Sequence, residues 1–343
     1  MTSIFVTGGA GFIGSHTCKA LRQAGFTPVT YDNLSRGNAE AVKWGPLEVG
    51  DLADRARLRE AVARHRPAAV VHFAALAYIG ESNERPAAYY ANNVGGTAAM
   101  LEIMQEFRLR HLVFSSTCAV YGTPETVPIS ETSSLVPINP YGASKMTCER
   151  MLRECAAAFP LTFMALRYFN AAGADPDGEI GECHVPETHA IPLILDAAAR
   201  SADGFTIFGA DYPTADGTCI RDYIHVCDLA DAHVAALRAL LDGAESTALN
   251  LGTGRGWSVR ELVGAVQRIT NREVTVHVGP RRPGDPPALV ADASLARETL
   301  GWQPRYSDLA TLVGHAWAWK QRSGRTWKRM QPLAAHTIKT GNK

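Results

Sequence analysis

The sequence predicts an α/β protein built on a doubly wound parallel sheet, with a smaller mixed α/β domain beside it. Three observations point there. Short apolar runs rich in β-branched residues alternate with longer helical patterns through the first half. A glycine-rich turn, Gly8-Gly9-Ala10-Gly11-Phe12-Ile13-Gly14, joins the first run to the first helix. An acid, Asp32, closes the second run.

The expected strands are Ser3–Thr7, 28–31, 46–49, 69–73, 111–115 and 161–167, with helices near 12–24, 53–65, 86–107 and 139–159. Runs that are apolar throughout suit strands covered on both faces, and this strand–helix rhythm implies right-handed crossovers in a parallel sheet. After Asn170 the rhythm fails in a stretch rich in Gly, Pro and Asp. A helix is expected after Glu187, with Pro192 in its first turns. Further on come a helix at Val226–Leu241, a strand at 248–251, a helix at 258–270, a strand at 274–278 and a Pro-rich loop at 279–287. We therefore expect a Rossmann-type dinucleotide domain over 1–170 and 218–252, and a second domain over 171–217 and 253–322. Residues 323–343, basic and free of acids, read as a flexible tail.

Composition narrows the class. Of 343 residues, 46% are hydrophobic and 20% charged, the balance of a globular enzyme. Lys+Arg and Asp+Glu both number 34, so no global field would draw in nucleic acid or an anionic membrane. No apolar stretch is long enough to span a bilayer, and MTSIFVTGG leads straight into a strand without a charged leader. The 7 cysteines are scattered without a C-x-x-C pair, as expected of reduced thiols in the cytoplasm. No metal site is expected.

The glycine turn lets backbone N–H groups approach a pyrophosphate at a helix N-terminus. Asp32, 18 residues beyond Gly14, suits a ribose 2′-OH and would repel a 2′-phosphate, which favours NAD over NADP; Arg36 is the feature that could soften this. Asp51 is a candidate for the adenine pocket or a helix cap. Tyr141 and Lys145, spaced Y-x-x-x-K, share one face of a helix that Asn139 and Pro140 start. A tyrosine base must ionise at neutral pH, about three pKa units below its ordinary value, or about 4 kcal/mol. The Lys145 cation and the helix N-terminus act in that direction. Ser115-Ser116-Thr117 closes the fifth strand nearby.

Thr7 through Gly14, Ser115-Ser116-Thr117 and Tyr141/Lys145 resemble the extended short-chain dehydrogenase/reductase superfamily. Narrower matches are Tyr31-Asp32-Asn33-Leu34, His72-Phe73-Ala74-Ala75, Gly80-Glu81-Ser82, Arg167-Tyr168-Phe169-Asn170, Asp216-Gly217-Thr218, Arg221-Asp222-Tyr223-Ile224-His225 and Arg281-Arg282-Pro283-Gly284-Asp285. With these the chain resembles the UDP-glucose 4-epimerase family, from about residue 2 to about residue 320.

The resemblance implies an NAD-dependent isomerase that interconverts UDP-glucose and UDP-galactose through a 4-keto sugar. Tyr141 would be the base, Lys145 its pKa partner and Thr117 a hydrogen-bond donor to the reacting oxygen. NAD would lie against Gly8, Gly11, Phe12, Ile13, Gly14, Asp32, Asn33, Asp51, Leu52, Phe73, Ala74, Ala75, Asn93, Ser115, Tyr141, Lys145 and Tyr168. Besides Thr117 and Tyr141, the UDP-hexose would meet Asn170, His189, Phe208, Arg221, Arg282, Asp285 and Leu289. Without the resemblance each arginine reads as a surface ion-pair residue and Phe208 as core. Departures from the family pattern are Ala77 for a lysine at the NAD pyrophosphate, Thr188-His189 for an Asn pair, and Leu289 for a tyrosine at the sugar. Leu289 leaves UDP-N-acetylhexosamines and UDP-pentoses open as substrates.

A 4,6-dehydratase needs an acid and a base after Thr117, where this chain has Cys118 and Ala119. A net sugar-nucleotide dehydrogenase or an NAD sensor remains as a reading from another class. Helices 86–107 and 139–159 carry Ala, Met and Tyr on more than one stripe, and related enzymes pair these helices, so a homodimer is expected.

Overall fold

A computed structural model describes residues 1–200, 204–282, 284–306 and 308–327. The apolar runs of the first half become β1 (Ser3–Thr7), β2 (Thr27–Asp32), β3 (Leu47–Val49), β4 (Ala69–His72), β5 (His111–Thr117) and β6 (Thr162–Tyr168). Later strands are β7 (Asn170–Ala172), β8 (Phe205–Phe208), β9 (Ile220–His225), β10 (Thr247–Leu251), β11 (Gly256–Ser258), β12 (Val276–Gly279) and β13 (Ala288–Leu289). The seven-stranded sheet runs β10-β6-β5-β4-β1-β2-β3, parallel throughout. The chain reverses direction across this sheet between β1 and β4, so the crevice beyond their carboxyl ends is where such folds bind ligands.

The helices are α1 (Phe12–Gln23), α2 (Arg55–His65), α3 (Ile79–Glu84), α4 (Pro86–Tyr89), α5 (Gly95–Glu106), α6 (Pro140–Ala158), α7 (Ala190–Arg200), α8 (Val226–Leu241), α9 (Val259–Thr270), α10 (Ser294–Leu300) and α11 (Leu309–Trp327). Alternation along β1 sorts them into layers. Ile4 and Val6 pack with Leu21 and Leu237 on one face, and Phe5 packs with Leu58, Met100 and Leu152 on the other. The second domain has its own core, where Ile194, Ile207, Leu262 and Leu312 meet. Ser258 closes a capping box with Glu261 to start α9.

Three expectations need correction. The single helix expected at 86–107 is divided, because a π turn at Tyr90–Val94 separates α4 from α5. The turn frees the Asn93 carbonyl to accept from Thr97 Oγ1 at 2.7 Å and Cys148 Sγ at 3.4 Å. The tail expected to begin at 323 starts inside α11, since Trp319 Nε1 and Arg322 Nη1 donate to the carbonyls of Glu182 (2.9 Å) and Asp177 (2.7 Å) and dock the helix. Residues 328–343 of that tail lie outside the described residues. Lastly, β9 was not expected, because charges interrupt Ile220-Arg221-Asp222-Tyr223-Ile224-His225. Asp222 is nonetheless wholly buried, its carboxylate accepting from the amides of Thr253, Gly254 and Ala291.

Four histidines are buried neutral: burial pulls His16 and His233 down to about 4, and His72 and His225 down to about 3. An unfolded histidine takes up its proton near pH 6.5. Between that pH and the lowered folded values the unfolded chain binds more protons, so acid removes stability, at up to about 1.4 kcal/mol per pH unit per histidine. Thermal unfolding should therefore shift steadily downward from pH 6.5 to pH 5; an unchanged midpoint over that range would contradict neutral burial of these rings.

Candidate active site

The glycine turn is held by contact rather than by sequence habit. Gly8 has φ +70°, and a Cβ there would lie 2.6 Å from Ala74 N. A Cβ on Gly14 would lie 2.2 Å from the Gly8 carbonyl oxygen. Gly11 caps α1 without a side chain, and the first turn holds no acid, so the amides of Phe12 and Ile13 face a ligand anion. This cradle fits a dinucleotide pyrophosphate.

Asp32 ends β2 at the cradle, 8% exposed, and its carboxylate accepts from Ala10 N (3.0 Å) and Leu34 N (2.8 Å). Burial raises its pKa against these hydrogen bonds. Beside it Asn33 Nδ2 donates to Asp51 Oδ2 at 2.7 Å. Asp51 also accepts from Ala53 N at 2.8 Å, while Asp54 caps α2. Arg36 is held on Glu81 at 2.8 Å and over the Tyr78 ring, 5.0 Å from its centroid. That ion pair satisfies the cation that could have met a 2′-phosphate. Leu52 is buried under β3, and Phe73, Ala74 and Ala75 leave β4 beside Gly8. Asn93 pins the following loop, accepting from Leu76 N (2.8 Å) and donating to Leu76 O and Ser144 Oγ (3.0 Å each).

Asn139 caps α6, accepting from Gly142 N at 2.8 Å, and brings Tyr141 and Lys145 under the end of β5. Lys145 Nζ donates to the Ser115 carbonyl at 2.8 Å and lies 4.8 Å from the Phe114 ring centroid. Ser115 Oγ and the Tyr168 hydroxyl are 2.7 Å apart. Burial lowers Lys145 to about 8. Burial also pushes the Tyr141 phenol up, with Tyr168, Cys118 and Tyr89 adding to the rise and the Thr117 hydroxyl opposing it. The spacing alone led us to expect a lowered phenol. In the structure Lys145 is committed to a carbonyl, and loss of water around the ring dominates.

On β9, which pairs with β7, β11 and β13 rather than joining the main sheet, Arg221 meets Asp285 through Nη2, and Asp285 joins it to Arg282, whose Nη2 lies 2.9 Å from Asp285 Oδ2. The Arg282 guanidinium covers the Phe208 ring at 5.4 Å. Leu289 sits opposite Arg221 in the β13–β9 register and packs against the cluster of Cys118, Tyr121 and Phe169. Asn170 sits opposite Tyr223. His189 is placed differently, with Nδ1 on Glu182 and its ring 5.3 Å from that of His184. The reading of the sequence missed Glu149, Arg167 and Tyr121, a buried network behind Ser116, although Glu149 lies one turn beyond Lys145 on the same face.

Fold and site together define an enzyme that cradles a dinucleotide on a Rossmann sheet and sets a buried tyrosine–lysine pair beside it. The family described as NAD dependent epimerase/dehydratase matches residues 4–252. A UDP-glucose 4-epimerase from Rhizobium meliloti is 54% identical over 320 residues, which is 93% of this chain and 97% of that protein. The crystal structure of UDP-glucose 4-epimerase from Brucella ovis in complex with NAD has 53% identity and a TM-score of 0.90, covering 93% of this chain and 98% of that one. The structure of UDP-glucose-4-epimerase from Stenotrophomonas maltophila with bound NAD and formylated UDP-arabinopyranose has 40% identity and a TM-score of 0.91, covering 95% and 100%. The chain belongs to the UDP-glucose 4-epimerase family and depends on NAD.

Proposed function

We propose that this chain interconverts UDP-glucose and UDP-galactose, and the observation that carries the reading is the buried Tyr141 beside Thr117, one turn before Lys145 on α6. The glycine cradle, Asp32 and Lys145 hold NAD, which when bound supplies reversible hydride acceptance at C4 of the sugar. Tyr141 Oη takes the proton of the sugar 4-OH, and Thr117 Oγ1 hydrogen-bonds the same oxygen. After the 4-keto sugar turns over, C4 would take the hydride back on its opposite face while Tyr141 Oη returns the proton to the 4-oxygen. Lys145, lowered to about 8 by burial, donates to the Ser115 carbonyl, and the Thr117 hydroxyl opposes the rise that burial imposes on the phenol. Arg221 and Arg282 bind the diphosphate as planar donors, Asp285 a ribose hydroxyl, and Phe208 the uracil face. Asn170 joins the two arginines at the diphosphate, while His189, held on Glu182, is set apart from these contacts. The Cys118 and Ala119 side chains supply neither the acid nor the base of a water elimination, and burial raises the Cys118 thiol to about 12.

We assign the working form as a homodimer built on α5 and α6, where Ile79 and Tyr90 nearby are 47% and 42% exposed. No helix of the described residues is long and apolar enough to cross a membrane, and all seven cysteines are free thiols, which supports the expected cytoplasmic setting.

The Leu289 position favours a second substrate class. A leucine beside the sugar lacks the bulk of a tyrosine and opens room at the C2 substituent. The Stenotrophomonas structure holds formylated UDP-arabinopyranose, so a protein of this fold takes a UDP-sugar other than the two UDP-hexoses.

Purified protein should interconvert the two UDP-hexoses with no NAD added. Tyr141→Phe should keep the fold and bound NAD while kcat falls about 10²–10⁴-fold, the usual worth of a positioned base. Near-wild-type turnover in that variant would remove Tyr141 as the base. Leu289→Tyr should lower kcat/KM for UDP-N-acetylglucosamine by about 1–3 kcal/mol of discrimination while sparing UDP-glucose. An equal loss for both substrates would show that Leu289 does not gate the pocket.

A further inference from the structure

Two groups of side chains converge outside the catalytic centre. In one, Asp175, Asp177 and Glu179 surround Lys19 Nζ at 2.7–2.8 Å, so an ammonium already fills that point. In the other, Glu182, His184, Glu187 and His189 bring four ligand atoms within 4.8 Å of one another, and among the described residues their ion pairs run only within the group. Among the described residues no ion pair to a lysine or arginine is found at its centre.

We propose that Glu182, His184, Glu187 and His189 bind one divalent cation of the zinc class. The spacing is E-x-H-x-x-E-x-H, four ligands on one eight-residue loop ahead of α7. Both rings turn Nδ1 toward the same carboxylate oxygen, Glu182 Oε1, which lies 3.1 Å from His184 Nδ1. His184 Nδ1 lies 3.9 Å from Glu187 Oε1. Ligand atoms of a tetrahedral zinc with bonds of about 2.1 Å stand about 3.4 Å apart, so small shifts of these side chains enclose the ion. Two imidazoles with two carboxylates suit zinc, cobalt or nickel and not magnesium, which prefers an all-oxygen octahedron.

The place gives the ion a consequence. The His184 ring meets Phe12 edge-on at 6.3 Å and Tyr78 at 6.0 Å, and with Cys183 it lines a cavity of about 280 Å³ beside the glycine turn. A cation here rigidifies loop 182–189, whose His184 ring lies against Phe12 and Tyr78 at the rim of the dinucleotide cradle, and holds His189 beside Glu182. It acts on loop position and takes no part in the hydride chemistry.

The test is cobalt and zinc titration of the purified holoenzyme after chelation and desalting, read by calorimetry and by the cobalt absorption spectrum. The account expects one equivalent of either metal, with visible bands of nitrogen and oxygen ligation and no near-ultraviolet thiolate charge transfer. His184→Gln and Glu187→Gln should each lose that equivalent, Cys183→Ser should keep it, and magnesium should not compete. Lack of stoichiometric binding by the wild type overturns the proposal without any variant. So does a thiolate band that Cys183→Ser removes, which would place the metal on cysteine. The binding readout is independent of epimerase turnover.

Discussion

Glu149 lies one helical turn beyond Lys145, wholly buried, and its carboxylate accepts from Ser116 Oγ at 2.6 Å and from Arg167 Nη2 and Nε at 2.6 and 2.9 Å. Those bonds tie α6 to the ends of β5 and β6 at once. Arg167 Nη1 carries the network on to the Tyr121 hydroxyl, which donates to Asn250 on β10. Three neighbouring strands and the catalytic helix therefore share one buried set of charges. Removing one partner of such a pair strands the other at a cost of about 3–5 kcal/mol, so the network holds its geometry. The Tyr141 and Lys145 positions relative to Ser115 and Thr117 follow from it.

Burial does two things at this centre. It places Tyr141, Thr117 and Lys145 in a low-dielectric interior, which strengthens each electrostatic contact there. The same burial raises the phenol and lowers Lys145 to about 8, both toward their neutral forms. Arg221 and Arg282 are both held on Asp285. Leu289 packs against the cluster that holds Cys118, next to Thr117 in the chain.

The main sheet was legible because its strands are apolar on both faces, and β1, α1, β5 and α6 fell within a few residues of their expected bounds. The glycine turn, Asp32 and the Tyr141/Lys145 pair were legible for a different reason: each sits at a fixed offset from a strand end. The 220–225 strand was hidden by Arg221 and Asp222, charges that only folded partners satisfy. The division of the 86–107 helix was hidden because a π turn rests on tertiary contacts to Asn93. The gathering of Glu182, His184, Glu187 and His189 depends on the path of one loop, which no periodicity encodes. The phenol shift had the wrong sign in the sequence reading because spacing reports proximity and not desolvation.

The central claim is that hydrogen leaves C4 of the sugar and returns to the same carbon within one closed site. Turnover of UDP-glucose carrying deuterium at C4, followed by mass spectrometry and NMR of the products, tests it most directly. The account predicts that UDP-galactose keeps the full deuterium content at C4 when the reaction runs in ordinary water. Appearance of the label in solvent, or of protium at C4 of the product, would contradict it.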